Sequence, residues 1–270
     1  MNNDIIKKPE YYINELSSLE LNLATGESIC VLDTLKALKR TGKAIRLTEF
    51  KDTLTVRTVF DHMLSLIRFA RAMLDTLKKS DYDLDTLSRL IAYHEICEVL
   101  IGDIPQFSTL KETEYAYLDD ERVRGISKAE REIYTSNFIK IFANPNQRKS
   151  IDRLVWAMEN PTDKTAKLFE FMDTIDPIIC VWRYIRLYRD DRDYAFRLID
   201  ALTDYFIYPH TLDFKIDPDY PFATEFIDNL CNKDNARLYA TGEELCKCIN
   251  APNYFGVIET LIENTPIIFE

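Results

Sequence analysis

The stretch from Ile91 to Pro105 constrains this chain more than any other, because it sets His94, Glu95, Glu98 and Asp103 into an otherwise apolar sequence. Leu87, Leu90, Ile91 and the Val99–Ile101 cluster recur at helical spacing, which predicts a core helix. Gly102 is the expected stop, in the left-handed position that follows many helices. On a continuous helix His94 and Glu98 share one face, and Glu95 lies roughly 100° round from His94. Ionisable groups buried in an apolar helix are costly unless paired or coordinated, so the stretch points to a site. Read alone, it equally describes a satisfied core histidine with Glu95 and Glu98 turned to water. It excludes a zincin, whose motif requires a second histidine where this chain has Glu98.

The rest of the composition narrows the function further. A chain of 270 residues can bury one substantial core with an appended part. A net charge of −11 disfavours nonspecific binding to nucleic acid or to an anionic membrane. No apolar run long enough to span a bilayer and no signal-peptide pattern is present, so a cytoplasmic location is expected. The cysteines at 30, 97, 180, 231, 246 and 248 are scattered and read as reduced thiols. With only six glycines and no phosphate-cradling loop, P-loop and Rossmann chemistry are not expected.

Taken in order, the chain reads as all-α. Tyr11, Ile13, Leu16 and Leu19 suggest a short helix packed on the body. Ser28 is placed to cap a helix reaching about Arg40. Residues 43–58 read as a loop carrying Lys43, Arg46 and Arg57. A helix over about 59–79 turns Met63, Leu66, Ile67, Ala70 and Leu74 inward, and Asp83 or Asp85 can cap the helix of His94. Residues 107–125 read as a long loop or lid. Ser127-x-x-Glu130 has the form of a capping box for a helix to about Phe142. Asn144-Pro145-Asn146 reads as a turn before a helix over 149–159 that presents Leu154, Val155 and Trp156. A long helix over about 163–188 carries Phe169 and Asp173, with a kink expected at Pro177. Helices near 192–207, 222–231, 241–249 and 254–263 complete the chain. No strand alternation stands out.

The polar residues on these helices resemble, in order and spacing, the HD-domain metal-dependent phosphohydrolases, and among them the 5′-deoxynucleotidases. Leu38-Lys39-Arg40-Thr41-Gly42 resembles the opening segment of that branch, and Val59-Phe60-Asp61-His62-Met63 its first histidine motif. His94-Glu95-x-x-Glu98-x-x-x-Gly102-Asp103-Ile104 resembles the His-Asp motif with its downstream Glu and Gly-Asp. Lys128-Ala129-Glu130-Arg131 and Trp156 fit the intervening helices, and Ala166-Lys167-Leu168-Phe169-x-x-x-Asp173 the final Asp motif. The likeness covers about residues 30–188. The chain departs from the pattern at Glu95, one methylene longer than the family's Asp, at Lys43, where the family has an aromatic residue, and at Glu170, where it has a basic one.

The resemblance implies an HD-domain helical bundle over 28–190, preceded by an extension over 1–27 and followed by a C-terminal helical extension over 191–270. It implies one divalent metal ion (Mn, Co, Zn, Mg or Fe) held by His62, His94, Glu95 and Asp173. Two imidazoles and two carboxylates suit such an ion and leave positions open for water and a phosphate oxygen. It further implies that Glu98 and Asp103 position the nucleophile or carry a proton. Arg46 is the preferred phosphate contact, surface charge being its other reading. Asp176 reads equally as a helix-face carboxylate and as a partner of the site, and His210 as part of a surface turn. The expected activity is hydrolysis of a small phosphorylated nucleotide, a deoxynucleoside 5′-monophosphate first, with a homodimer allowed and no membrane partner. The rival expectations are an HD domain that binds a nucleotide or protein without turnover, and HD chemistry on triphosphates or cyclic nucleotides.

Overall fold

The computed structural model describes residues 8–40, 57–77, 82–103, 128–170, and 172, 173, 176 and 180. The expectations for Lys43, Arg46, the 107–125 loop, Pro177, His210 and the helices beyond 190 lie outside these residues. The chain divides into two compact units, and most of the elements below lie in the one made of Met1–Thr41, Val56–Ile67 and Tyr82–Phe169; residues 68–77 and 170 belong to the other. Its secondary structure is dominated by helices, as the sequence predicts.

Helix α1 (Pro9–Leu16) opens on a proline, whose missing N–H costs nothing at a helix start, and buries Tyr12, Ile13 and Leu16. A short antiparallel hairpin follows, β1 (Glu20–Asn22) paired with β2 (Ser28–Cys30) in the register Glu20↔Cys30, Leu21↔Ile29 and Asn22↔Ser28. Gly26 turns it at φ 87°. The hairpin corrects two expectations. Ser28 is a strand residue rather than a helix cap, and α2 (Val31–Ala37) starts three residues later, after an extended Cys30, and ends short of Arg40. Strand pairing runs on into the helix start, where the Val31 N–H bonds the Leu19 carbonyl at 3.0 Å.

After α2 the chain is extended. Lys39 forms an antiparallel bridge with Thr58, the Arg40 N–H bonds the Arg57 carbonyl at 3.1 Å, and the Val59 N–H bonds that of Leu38 at 2.9 Å. This clamp sets Arg40 beside the start of α3 (Val59–Leu77). Thr58 and Asp61 close that start reciprocally, the Thr58 N–H donating to Asp61 Oδ2 at 2.7 Å and the Asp61 N–H to Thr58 Oγ1 at 3.0 Å. Met63, Leu66, Ile67 and Ala70 are buried on α3 as their spacing predicts.

Helix α4 (Leu84–Tyr93) is capped by Asp83, which accepts from the Thr86 N–H. It lies against α1 and against α7 (Pro145–Glu159), and a buried polar set joins the three. Arg89 Nε donates to Asp85 at 2.9 Å, Arg89 Nη1 donates to Ser150 Oγ at 2.7 Å, and its guanidinium lies 4.3 Å over the Tyr12 ring, whose hydroxyl also bonds Asp85. Gln147 Nε2 adds a bond to the Glu15 carbonyl at 2.7 Å. Asn144-Pro145-Asn146, read as a turn, is the start of α7: Asn144 and Gln147 form a capping box and Pro145 is the first helical residue. An Asn cap followed by Pro has the same local signature in a turn and in a helix start. The buried face of α7 is Gln147, Ser150, Ile151, Leu154 and Ala157, with Val155 and Trp156 half-buried.

The predicted continuous helix through the Ile91–Pro105 stretch is broken. Residues 94–97 form tight turns, with i→i+3 bonds from Ile96 N–H to Tyr93 O, Glu98 N–H to Glu95 O and Val99 N–H to Ile96 O, before a short α5 (Glu98–Ile101). His94 and Glu98 therefore sit on different elements. Helix α6 (Lys128–Ile139) precedes α7, and a further helix, α8, covers 164–170. Asp163 Oδ1 caps α8 by accepting from the Thr165 and Ala166 N–H groups, and Thr165 Oγ1 accepts from the Asp83 N–H at 3.1 Å.

Gly102 ends α5 at φ 73° and ψ 170°, not the left-handed helical ψ that was expected but a region open essentially to glycine alone. Gly102→Ala should lower stability by about 1–3 kcal/mol. Urea unfolding should show a lower midpoint at unchanged slope, and an unchanged midpoint would contradict the assignment.

Candidate metal centre

The break at residues 94–97 has a cause in His94 itself. Its ring Nδ1 lies 3.2 Å from the Leu90 carbonyl and 3.1 Å from that of Ile91. The Ile91 carbonyl is the acceptor that the Glu95 N–H would use in a continued helix, so the imidazole competes for it. The same contact puts a proton on Nδ1, which donates to the backbone, and leaves Nε2 as the nitrogen that faces inward. A second nitrogen anchored in this way is the usual support of a metal-binding histidine. Phe169, on α8, packs its ring edge-on against His94 with centroids 5.0 Å apart.

His62, fully buried in the first turn of α3, meets this nitrogen: the two Nε2 atoms are 3.1 Å apart. Glu95 Oε1 lies 3.3 Å from His62 Nε2 and 3.4 Å from His94 Nε2. Metal–ligand bonds of about 2.0–2.1 Å, about 90–110° apart, place their donor atoms about 2.9–3.4 Å from one another. All three separations fall in that interval. One ligand atom from each of His62, His94, Glu95 and Asp173 falls within 4.8 Å of the others, so the four expected ligands are brought together. Two imidazole nitrogens and two carboxylate oxygens fit a borderline divalent ion.

Beside this set lies a second group of acids gathered on Arg40. Its Nη1 is 2.5 Å from Glu95 Oε1, 3.4 Å from Asp103 Oδ1 and 3.7 Å from Glu98 Oε1. The tight turns explain the convergence, since i and i+3 side chains eclipse when three residues complete a turn. Glu95 and Glu98 therefore point the same way. In the sequence Arg40 is one residue of the Leu38-to-Gly42 segment; its position depends on the 39–58 bridge, which pairs segments that no local pattern connects. Arg46, the expected phosphate contact, lies outside the described residues. Asp176 is buried.

The two glutamates titrate in opposite directions. Burial alone would push Glu95 up, but the Arg40 guanidinium and the two imidazoles outweigh it and hold its carboxyl well below the usual carboxylate range. Glu98 is pushed well above that range by burial and then by the charges of Glu95 and Asp103, which Arg40 only partly offsets. Glu98 Oε2 is buried with no hydrogen-bond partner among the described residues. Carboxyls perturbed in this way by burial and neighbouring charge cluster at functional sites.

The HD domain family model matches residues 32–204, more than half of the chain and all of this centre. The chain belongs to the HD domain family. HD domains are in general metal-dependent phosphohydrolases, and the His, Glu and Asp cluster is one that can hold their divalent ion. Comparison with curated proteins and with solved structures gave no match. Among the described residues no helix is long and apolar enough to cross a membrane.

The raised Glu98 carries a pH signature in the metal-free protein. The folded state binds its proton more tightly than the unfolded chain, so stability falls as pH rises through the ordinary glutamate range towards the folded value. Glu98→Gln removes that loss. In chelator at neutral pH, Glu98→Gln should melt above the wild type by at least roughly 2 °C, and the gap should close as pH approaches 4. A gap that is absent, or that widens towards acid, would contradict the assigned direction.

Proposed function

We propose that this chain is a metal-dependent phosphohydrolase acting on a nucleotide, with a deoxynucleoside 5′-monophosphate as its substrate. The observation that carries this is the meeting of the His62, His94 and Glu95 donor atoms with Asp173 beside an acid group, Glu98 and Asp103, and a guanidinium, Arg40. Membership of the HD domain family supports the chemistry. The nucleotide and its deoxyribose rest on the likeness of the His94-to-Asp103 and Leu38-to-Gly42 segments to the 5′-deoxynucleotidases.

His62, His94, Glu95 and Asp173 would hold a divalent ion, which would supply a Lewis acid for a phosphoryl oxygen and lower the pKa of water. The chain's own residues do the rest. His94, its Nδ1 proton committed to the backbone, would present Nε2 to the ion. Glu95 supplies a fixed negative charge. Asp103 accepts a hydrogen bond from the attacking water and takes its proton, and Glu98 delivers a proton to the leaving oxygen. Arg40 keeps its charge at any working pH and offers N–H donors to phosphate oxygens as the substrate arrives. Arg46 is assigned a further phosphate contact.

One observation favours a second reading, a domain that binds nucleotide without turnover: the ligand oxygen of Glu95 is shared with Arg40. The tests separate the two. His62→Ala, His94→Ala and Asp173→Ala should each abolish stoichiometric metal binding, measured on protein purified without chelator. Glu98→Gln and Asp103→Asn should keep the metal and lose roughly 10²–10⁴-fold in phosphate release from a nucleotide panel. A nucleotide that raises the melting temperature, with no phosphate released under manganese, cobalt, magnesium or zinc, would establish the binding reading instead. Full metal content in two of the three ligand variants would overturn both.

A further inference from the structure

In the metal centre just proposed, on which this inference rests, Arg40 has a position that binding a phosphate does not by itself explain. Its Nη1 touches Glu95 through Oε1, the same oxygen that faces both imidazole Nε2 atoms. The oxygen offered to a divalent ion is thus already compensated by a cation of the chain itself. The same nitrogen is within 4 Å of Glu98 and Asp103, so one guanidinium faces three acids. Its side chain is only about one-fifth exposed, so water screens it little. The extended clamp, Arg40 N–H to the Arg57 carbonyl and the 39–58 bridge, fixes its backbone beside the centre.

We propose that Arg40 is a resident counter-cation that opposes the divalent ion and sets how tightly this centre holds metal. Two cations that share one carboxylate oxygen in a buried site repel each other, so each makes the other bind less tightly. Without the ion, Arg40 keeps the acids from repelling one another and so keeps the empty centre folded. With the ion, its charge subtracts from the affinity. The longer arm of Glu95 suits this arrangement, since it lets one carboxylate reach both the imidazole pair and the guanidinium.

The experiment titrates manganese alone, with no nucleotide, into the full chain stripped by chelator, and follows the free ion by its paramagnetic resonance signal. Wild type, Arg40→Gln and Arg40→Lys are compared at one pH. Arg40→Gln should bind one manganese ion at least about tenfold more tightly than the wild type, because the opposing charge is gone. Arg40→Lys, which keeps the charge but not the fork, should stay within about threefold of the wild type. If Arg40→Gln does not fold, Arg40→Met, which keeps an apolar stem, replaces it with the same expected tightening. Equal or weaker binding by the neutral variant would show that Arg40 merely positions Glu95, and would overturn the proposal. A wild type that takes up no manganese, cobalt or zinc would instead overturn the metal centre itself, an outcome distinct from the first.

Discussion

Everything around the centre depends on one carboxylate oxygen, Glu95 Oε1, and on the cations or lone pairs that surround it. It meets the Nε2 atoms of His62 and His94 and the guanidinium of Arg40 within 3.4 Å. Three acids in a buried space repel strongly: two unit charges 4 Å apart interact by about 4 kcal/mol at the effective permittivity of such sites. The chain tolerates this by raising the carboxyl pKa of Glu98, by holding that of Glu95 down against Arg40, and by grouping side chains that a divalent ion could bridge. Breaking one member of such a set costs more than the contact alone, because it strands the remaining charges.

The fold serves this oxygen through small local devices rather than through the size of its core. The Thr58–Asp61 pair fixes the start of α3, and His62 is the next residue. The imidazole of His94 ends α4 by taking a backbone carbonyl, so the ligand also determines where the chain turns. The turn that results eclipses Glu95 with Glu98, and Gly102, in backbone space denied to other residues, leads into Asp103. On the far side of α4, Arg89, Asp85, Tyr12 and Ser150 tie the helix to α1 and α7. Support on one face and tight turns at one end hold these side chains together against their own repulsion.

The sequence showed much of this and missed the rest for identifiable reasons. Apolar spacing correctly placed the inward face of α3, and Asp83 was one of two readable caps for α4. The gathering of His62, His94, Glu95 and Asp173 followed from the family likeness, since no local pattern relates residues so far apart in the chain. The break after Tyr93 was invisible because Leu87, Leu90, Ile91 and Val99–Ile101 keep helical spacing across it, while its cause is a side chain bonding backward. The hairpin at 20–30 has strands of three residues each, too short for alternation to register. The place of Arg40 is not legible in the sequence, because it is set only when residues 39 and 58 pair, which is tertiary information.

The most direct test of the centre is a crystal structure of the full chain soaked with zinc and measured at the zinc absorption edge. The account predicts one strong anomalous peak about 2.0–2.2 Å from Nε2 of His62, Nε2 of His94 and a carboxylate oxygen of Glu95, with Asp173 as the fourth protein ligand. A fully loaded crystal whose zinc lies elsewhere, or whose His62 and His94 face each other with no peak between them, would contradict it.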